Sequence, residues 1–389
     1  MHFPARSFGI TAGACALLFV LARAQGAPQR AFPGEARQIA DGVSLYHVTD
    51  PALLEPAAPV SVWLLRVDPR SADLRAVLAN DEIVDTETVP QIAQRYGAAA
   101  AVNAGFFLLP SGDPSGLYKL NGQLVSDTRR PRGAVGIIRD GQSRRFLFGR
   151  VAASMRLRIP RRARPDRTVD IAGVDTTRQR GKLMLFTPAY HADTDAAAGG
   201  LEWILEGNPL RVRGVPRTTG RTPIPKKGFV LSYGGSRAPP SLASLKDGTA
   251  VALETRYAPV DGTPEDWARA DDIIGGAGLI ARDGRFLEDW TVEQLAGGFA
   301  QTRHPRTMIG VHPDRSLWLV TVDGRQPHLS AGMTLVEISA LARRLGLSDA
   351  LNLDGGGSTT MWVRGEVVNS PSDAAGPRKV SDALLVMQR

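Results

Sequence analysis

Asn352-Leu353-Asp354-Gly355-Gly356-Gly357-Ser358-Thr359-Thr360 lies between two short apolar runs, Leu351 to Leu353 and Thr359 to Val363, that read as strands. Three successive glycines lower the steric cost of unusual backbone angles and remove side chains that would hold a ligand away. Consecutive N–H groups in such a turn converge on an anion. An acid before the glycines and hydroxyls after them give one loop both a carboxylate and a cradle for phosphate or sugar. The competing reading is a tight turn in which Asp354 bonds its own loop.

The segment before this loop predicts a helix from Leu335 to Leu345. Thr334 as N-cap and Glu337 three residues later form a capping box. Ile338, Leu341, Ala342 and Leu345 make an apolar stripe, and Gly346 ends the helix. Further out, Val60 to Val67 and Leu74 to Leu78 read as strands and Thr88 to Tyr96 as a short helix. Ala98 to Asn103 is an apolar strand running into Asn103-Ala104-Gly105-Phe106-Phe107. Leu117 to Val125 predicts a hairpin about Asn121-Gly122, and Ala134 to Phe148 a second about Asp140-Gly141. The C-terminal run Ser381 to Val386 is a further strand. No repeats and no regular βαβ alternation appear. The fold expected is α+β, with strand-rich mixed sheets and a few flanking helices in a single large domain.

The chain has 389 residues and ordinary apolar content. Its first 24 residues predict a signal peptide: Arg6, an apolar run from Phe8 to Ala22, and Ala22-Arg23-Ala24 as a small-x-small cleavage site. Residues 25–42 read as a flexible lead-in and 43–389 as the domain, with a basic, strand-rich middle over 119–270. The mature protein is expected to be exported, periplasmic or extracellular, without stable membrane insertion. Cys15 is the one cysteine and lies inside the signal segment. The mature chain therefore has no disulfide, thiolate metal site or Cys nucleophile.

The formal charge is +8. From Lys119 to Asp170 there are fourteen Lys or Arg against four Asp, a local net of +10. A basic face on an exported protein suits anionic glycans, phosphodiester polymers or headgroups, though taken by itself such a run reads first as a solvated face. Nucleic acid is not expected as a partner, because no recognition motif or aromatic-interleaved basic stripe is present. No Gly-x-Ser-x-Gly elbow or Walker pattern appears, and no His/Asp/Glu spacing reads as zinc. No cofactor is expected; a structural calcium held by loop carboxylates stays open.

Five short blocks occur in one order: Asn103-Ala104-Gly105-Phe106-Phe107, Gly275-Gly276-Ala277-Gly278-Leu279, Arg306-Thr307-Met308-Ile309-Gly310, Val322-Asp323-Gly324-Arg325 and the Asp354 loop. The tail segments Val368 to Asp373 and Arg378 to Leu384 follow. This set resembles the phosphodiester glycosidase family from about Val43 to the C-terminus. The resemblance implies a hydrolase that releases a sugar such as N-acetylglucosamine from a sugar phosphodiester. It also implies a link to exopolysaccharide or wall-polymer metabolism, with a sugar phosphodiester or phosphoglycan as substrate.

Breaking a sugar C1–O–phosphate bond develops positive charge on the ring and negative charge on the leaving phosphate. Arginine suits the phosphate because its fork is planar, permanently charged and bidentate. Arg306, Arg325 and Arg378 are the candidate clamp. The leaving group is already a weak base, so the main requirement is a carboxylate acting as base or nucleophile. Asp354 is the first candidate, Asp323 the second and Glu337 the third. The alternatives are a turn residue for Asp323 and the capping box for Glu337. Asn103, Gly355, Gly356, Gly357, Ser358, Thr359 and His304 are candidate substrate contacts, with Phe106 and Phe107 as a sugar platform or core. Two other functions compete: a non-catalytic anionic-polysaccharide binding protein, and a phosphodiesterase that cuts the P–O bond.

Overall fold

The computed structural model describes residues 1–2, 32–109, 111–141 and 143–389. The signal segment and the first part of the lead-in lie outside the described residues. Phe32–Arg389 forms one compact unit. The last part of the expected lead-in is ordered differently from that expectation: Arg37–Ala40 is a strand paired with Val43–Val48.

Two sheets frame the molecule. One is eight-stranded, and its central strands Val62–Val67, Leu317–Val322, Arg306–Val311 and Asp349–Asn352 run antiparallel to their neighbours. The other is five-stranded, with Met361–Val363, Ala100–Asn103, Asp382–Gln388 and Ala72–Leu78 adjacent in that order. Side chains alternate across a strand, and the sequence uses both faces. Val62, Leu64, Met308, Val320 and Ala350 face one core, while Leu65, Val67, Ile309, Leu319 and Leu351 face another. Such doubly buried strands read as continuous apolar runs rather than as an alternation.

Helix α1, Val89–Tyr96, and helix α3, Leu335–Arg344, cover the two sheets. The α3 stripe of Ile338, Leu341 and Ala342 packs on the eight-stranded sheet. The α1 residues Ile92 and Ala93 pack on Ala101, Trp362 and Leu385 of the five-stranded sheet. Burying one Leu or Ile contributes about 1.5–3 kcal/mol, and truncating Ile338 to Ala would cost about 2–5 kcal/mol. Both helices start at capping boxes, Thr88 with Gln91 and Thr334 with Glu337. Gly97 and Gly346 follow them in the left-handed region, at φ 64° and 69°.

A long hairpin, Thr128–Asp140 with Ser143–Ile159, dominates the middle of the chain. The smaller hairpin turns at Asn121 and Gly122, both at positive φ, joining Tyr118–Leu120 to Gln123–Ser126. A further five-stranded sheet around Leu183–Phe186 and Gly228–Tyr233 completes this region. Among the described residues, α-helix is confined to α1, α3 and the short α2, Pro264–Arg269. The fold is mostly β, further from α+β than the sequence reading, because the strand-rich middle adds two sheets and only α2. Among the described residues, no helix is long and apolar enough to cross a membrane.

Part of the charge of the middle region is compensated by carboxylates from other segments. Arg139 pairs with Asp272, Arg144 with Asp73, Arg150 with Asp261, and Arg158 with Asp166 and Glu254. The sequence window counted the cations and missed partners brought in by the fold.

Candidate active site

The Asp354 loop is the crossover between the two framing sheets. Leu353 still donates its N–H to Thr307 O at 2.8 Å, in the eight-stranded sheet. Asp354 N–H then goes to Ala104 O at 2.9 Å, at the end of a strand of the other sheet. A segment that leaves one sheet for another must present its backbone at their common end. Strand ends from both sheets converge there and enclose a cavity of about 300 Å³. Its walls include Phe106, His304, Arg306, Arg325, Asp354 and Arg378, with Gly355 to Gly357 as its floor.

Arg306 opens its strand and is 2 % exposed. Its Nε donates to Met333 O at 2.9 Å and its Nη2 to Phe299 O at 2.7 Å and Thr302 O at 3.0 Å. The guanidinium lies 4.7 Å from the Phe299 ring centroid. Burial, and secondarily the charge of Arg325, lower its pKa to about 10. Among the described residues no carboxylate pairs with Arg306 or with Arg325. Arg325 follows the Leu317–Val322 strand at φ 59°, a left-handed position unusual for a residue with a side chain. Its Nη2 stands 3.5 Å from His304 Nδ1. Burial and the two arginines lower the His304 pKa, and its Nδ1 faces the Arg325 guanidinium.

Arg378 differs from these two. It forms a two-point ion pair with Asp373, at 2.8 and 3.1 Å. The glycines explain how the arginines reach the loop. A Cβ on Gly356 would stand 3.0 Å from Arg325 Nη2, and one on Gly357 would overlap the Arg378 guanidinium and the Asp373 carboxylate.

Asp354 keeps some access through the cavity, yet the protein packed around its carboxyl removes most of its water. Its pKa is pushed up to about 7, first by that burial and also by the charge of Asp382. The Ser358 hydroxyl, the Gly355 N–H and Arg378 favour the charged form and limit the rise. Ser358 Oγ is buried and makes no hydrogen bond of ordinary geometry. Asp382 is buried at the start of its strand, its carboxylate accepting from Gly105 N–H at 2.6 Å and Ser381 Oγ at 2.7 Å. Burial raises its pKa to about 6. Both acids resist ionisation chiefly because they are buried.

The remaining sequence candidates stand behind this wall. Asn103 is 1 % exposed and has no face on the cavity. Its Nδ2 donates to Asp354 O at 2.7 Å, and its Oδ1 accepts from Thr307 Oγ1 at 2.7 Å and Thr360 N–H at 3.2 Å. It holds the loop by the main chain instead of meeting a sugar. Asp323 is not a turn residue and does not line the cavity. Its carboxylate accepts from Ser61 Oγ at 2.7 Å, Asn369 Nδ2 at 3.0 Å and Ser370 N–H at 2.8 Å. Glu337 caps α3 and binds Arg303, Nε to Oε1 at 3.0 Å. All its oxygens have structural partners, so the helix cap outcompetes chemistry there. Thr359 is buried, 3.5 Å from Thr307 Oγ1. Phe106 faces the cavity, while Phe107 packs on the α1 core.

Asp382 was missed as a site residue although its block was noted. An acid opening an otherwise fully buried strand, Ala383 to Val386, was the available signal. Among the described residues no three His, Asp or Glu cluster as a metal site.

The fold and cavity define a strand-rich protein whose loop-borne acid shares a pocket with unpaired arginines, a site suited to anionic substrates. Residues 207–387 match the model of the phosphodiester glycosidase family. That span holds Arg306, Arg325, Asp354, Arg378 and Asp382. The chain is 39 % identical over 96 residues to the SPbeta prophage-derived uncharacterized protein YomE of Bacillus subtilis (strain 168), covering 25 % of this chain and 15 % of that protein. The structure is similar to a hypothetical protein from Synechocystis, with TM-score 0.74 and 24 % identity over 91 % of this chain and 64 % of that one. It is also similar to a protein of Burkholderia pseudomallei K96243 described as exported, with TM-score 0.71 and 25 % identity over 85 % and 74 % of the two chains. The chain thus spans a small part of its curated relative and under two thirds of the Synechocystis protein.

Proposed function

We propose that the chain is an exported hydrolase that cleaves the sugar C1–O bond of a sugar-1-phosphodiester. The products are free sugar, N-acetylglucosamine-like, and a phosphomonoester. The observation that carries this reading is the cavity shared by Asp354 and two guanidiniums that have no carboxylate partner. A buried cation without a counter-ion strongly favours an anion in the adjoining space. As the C1–O bond breaks, its electrons stay on the phosphate oxygen, where Arg306, Arg325 and Arg378 offset the new charge. Asp354, as carboxylate, either takes a proton from the incoming water, whose oxygen becomes the anomeric hydroxyl, or attacks the anomeric carbon to form a glycosyl ester that water then cleaves, freeing the sugar and the carboxylate. The charge of Asp382 adds to the burial that raises the Asp354 pKa. The signal-like N-terminal sequence and the likeness to a protein described as exported support export.

The test is incubation of the mature protein with a panel of sugar-1-phosphodiesters and UDP-N-acetylglucosamine, products being read by phosphorus NMR beside Asp354→Asn. Free sugar with a phosphomonoester from the unaltered protein alone supports the reading. Sugar phosphate as product means P–O cleavage and sinks it.

A further inference from the structure

A second cavity, of about 260 Å³, adjoins the first, and Phe106 is a wall of both. Ser115, Thr128, Arg130, Arg132 and Gly276 also line it. Each cavity alone is at or below the lower end for small-molecule pockets, roughly 300 Å³. The glycine block Gly275-Gly276 forms a wall here because backbone crowds it. A Cβ on Gly275 would lie 2.8 Å from Leu117 O, and one on Gly276 would overlap Asn352 O. The block thus ties the second cavity directly to the strand that delivers Asp354.

The hairpin's arginines divide into two groups. Arg139, Arg144, Arg150, Arg156 and Arg158 each pair with a carboxylate. Among the described residues Arg129, Arg130, Arg132 and Arg145 do not, and of these Arg130 and Arg132 line the cavity. Arg132 donates one bond, to Gln294 O at 3.3 Å. The nearby buried Glu293 offers them no counter-charge contact, because its carboxylate accepts from Gly133, Gly278 and Leu279 N–H at 2.8–2.9 Å.

We propose that the second cavity receives the group beyond the phosphate, and that Arg130 and Arg132 select one bearing its own negative charge, a carboxylate or phosphate of an anionic glycan. The inference rests on the phosphodiester reading above for the occupant of the first cavity. A single phosphodiester then bridges Phe106, with its sugar beside Asp354 and its remaining half against the free arginines.

The experiment compares two diesters of the same sugar-1-phosphate, one with methyl and one with a hexuronic acid beyond the phosphate. For the unaltered protein, the ratio of kcat/KM is expected to favour the anionic diester by about tenfold at low salt and to shrink as salt screens the contact. In Arg130→Gln/Arg132→Gln the ratio is expected to fall toward one, with Arg130→Lys intermediate and melting temperatures comparable. A ratio near one in the unaltered protein, or one that survives in the double variant, overturns the proposal. Calorimetric Kd values for the same diesters separate it from the hydrolase reading. An arginine-dependent preference in binding without turnover keeps the subsite and sinks the hydrolase, whereas no preference in binding sinks the subsite whatever the turnover.

Discussion

Asn103 holds Asp354 by its carbonyl, not by its carboxylate: Nδ2 reaches Asp354 O at 2.7 Å across the seam between the two framing sheets. The same amide accepts from Thr307 and Thr360, so one side chain links three segments that meet at the site. Asn103→Ala leaves those groups buried and unpaired, at about 1–3 kcal/mol for each unsatisfied group. We expect a melting temperature lower by several degrees and kcat reduced more than KM, because the loop that carries Asp354 loosens. Unchanged melting with raised KM alone would instead mean that Asn103 meets substrate.

Gly357→Ala tests the closeness of Arg378 to the loop. The added methyl competes for the space of the guanidinium and of Asp373, both of which end flexible side chains and can swing away. Stability should therefore change little, while affinity for a phosphodiester weakens about tenfold through a displaced Arg378. Titration by calorimetry decides the matter; full affinity in the variant would remove Arg378 from the clamp.

What the sequence disclosed follows from the range of the interactions. The α3 capping box and stripe, the Asn121-Gly122 turn and the Asp354 loop are decided by residues within a few positions of each other, and they were legible. The cavity's arginines were legible as residue types in ordered blocks. The partners of Asp323 and Glu337 were not, because Ser61, Asn369 and Arg303 reach them from distant segments. The part Asn103 plays in tying the loop was hidden for the same reason: its partners lie over 200 residues away in sequence. The basic middle read as more charged than it is, since some of its counter-charges, such as Asp73 and Asp261, come from outside the window.

Inorganic phosphate should stabilise the folded protein through Arg306 and Arg325. A ligand at a hundred times its Kd contributes about 2.7 kcal/mol, a rise of a few degrees in melting temperature. Arg325→Gln is the clean variant, because Arg325 is exposed and holds up no core. It should lose most of the phosphate-dependent rise. It should also let the His304 pKa climb, since Arg325 is one of the charges that depress it. Proton NMR titration of His304 and thermal melts with and without phosphate read both. A full phosphate effect in the variant would place the anion elsewhere.

Asp354 and Asp382 have pKa values raised to about 7 and about 6. Folding therefore favours their protonated forms. The stability they allow is complete below the ordinary Asp range, near 4, and is lost as pH rises through 6 and 7. A shift of about 3 units at Asp354 sets a ceiling on the order of 4 kcal/mol for that residue. Asp354→Asn removes its share, so the variant should melt higher than the unaltered protein at pH 8 and converge with it near pH 4. Activity should run the other way: if the Asp354 carboxylate is the base or nucleophile, kcat/KM of the unaltered protein rises with pH through about 7. Melting curves that fall in parallel for both proteins from pH 5 to 8 would show that Asp354 ionises normally, and the assignment of the site's reactive group would then pass from it.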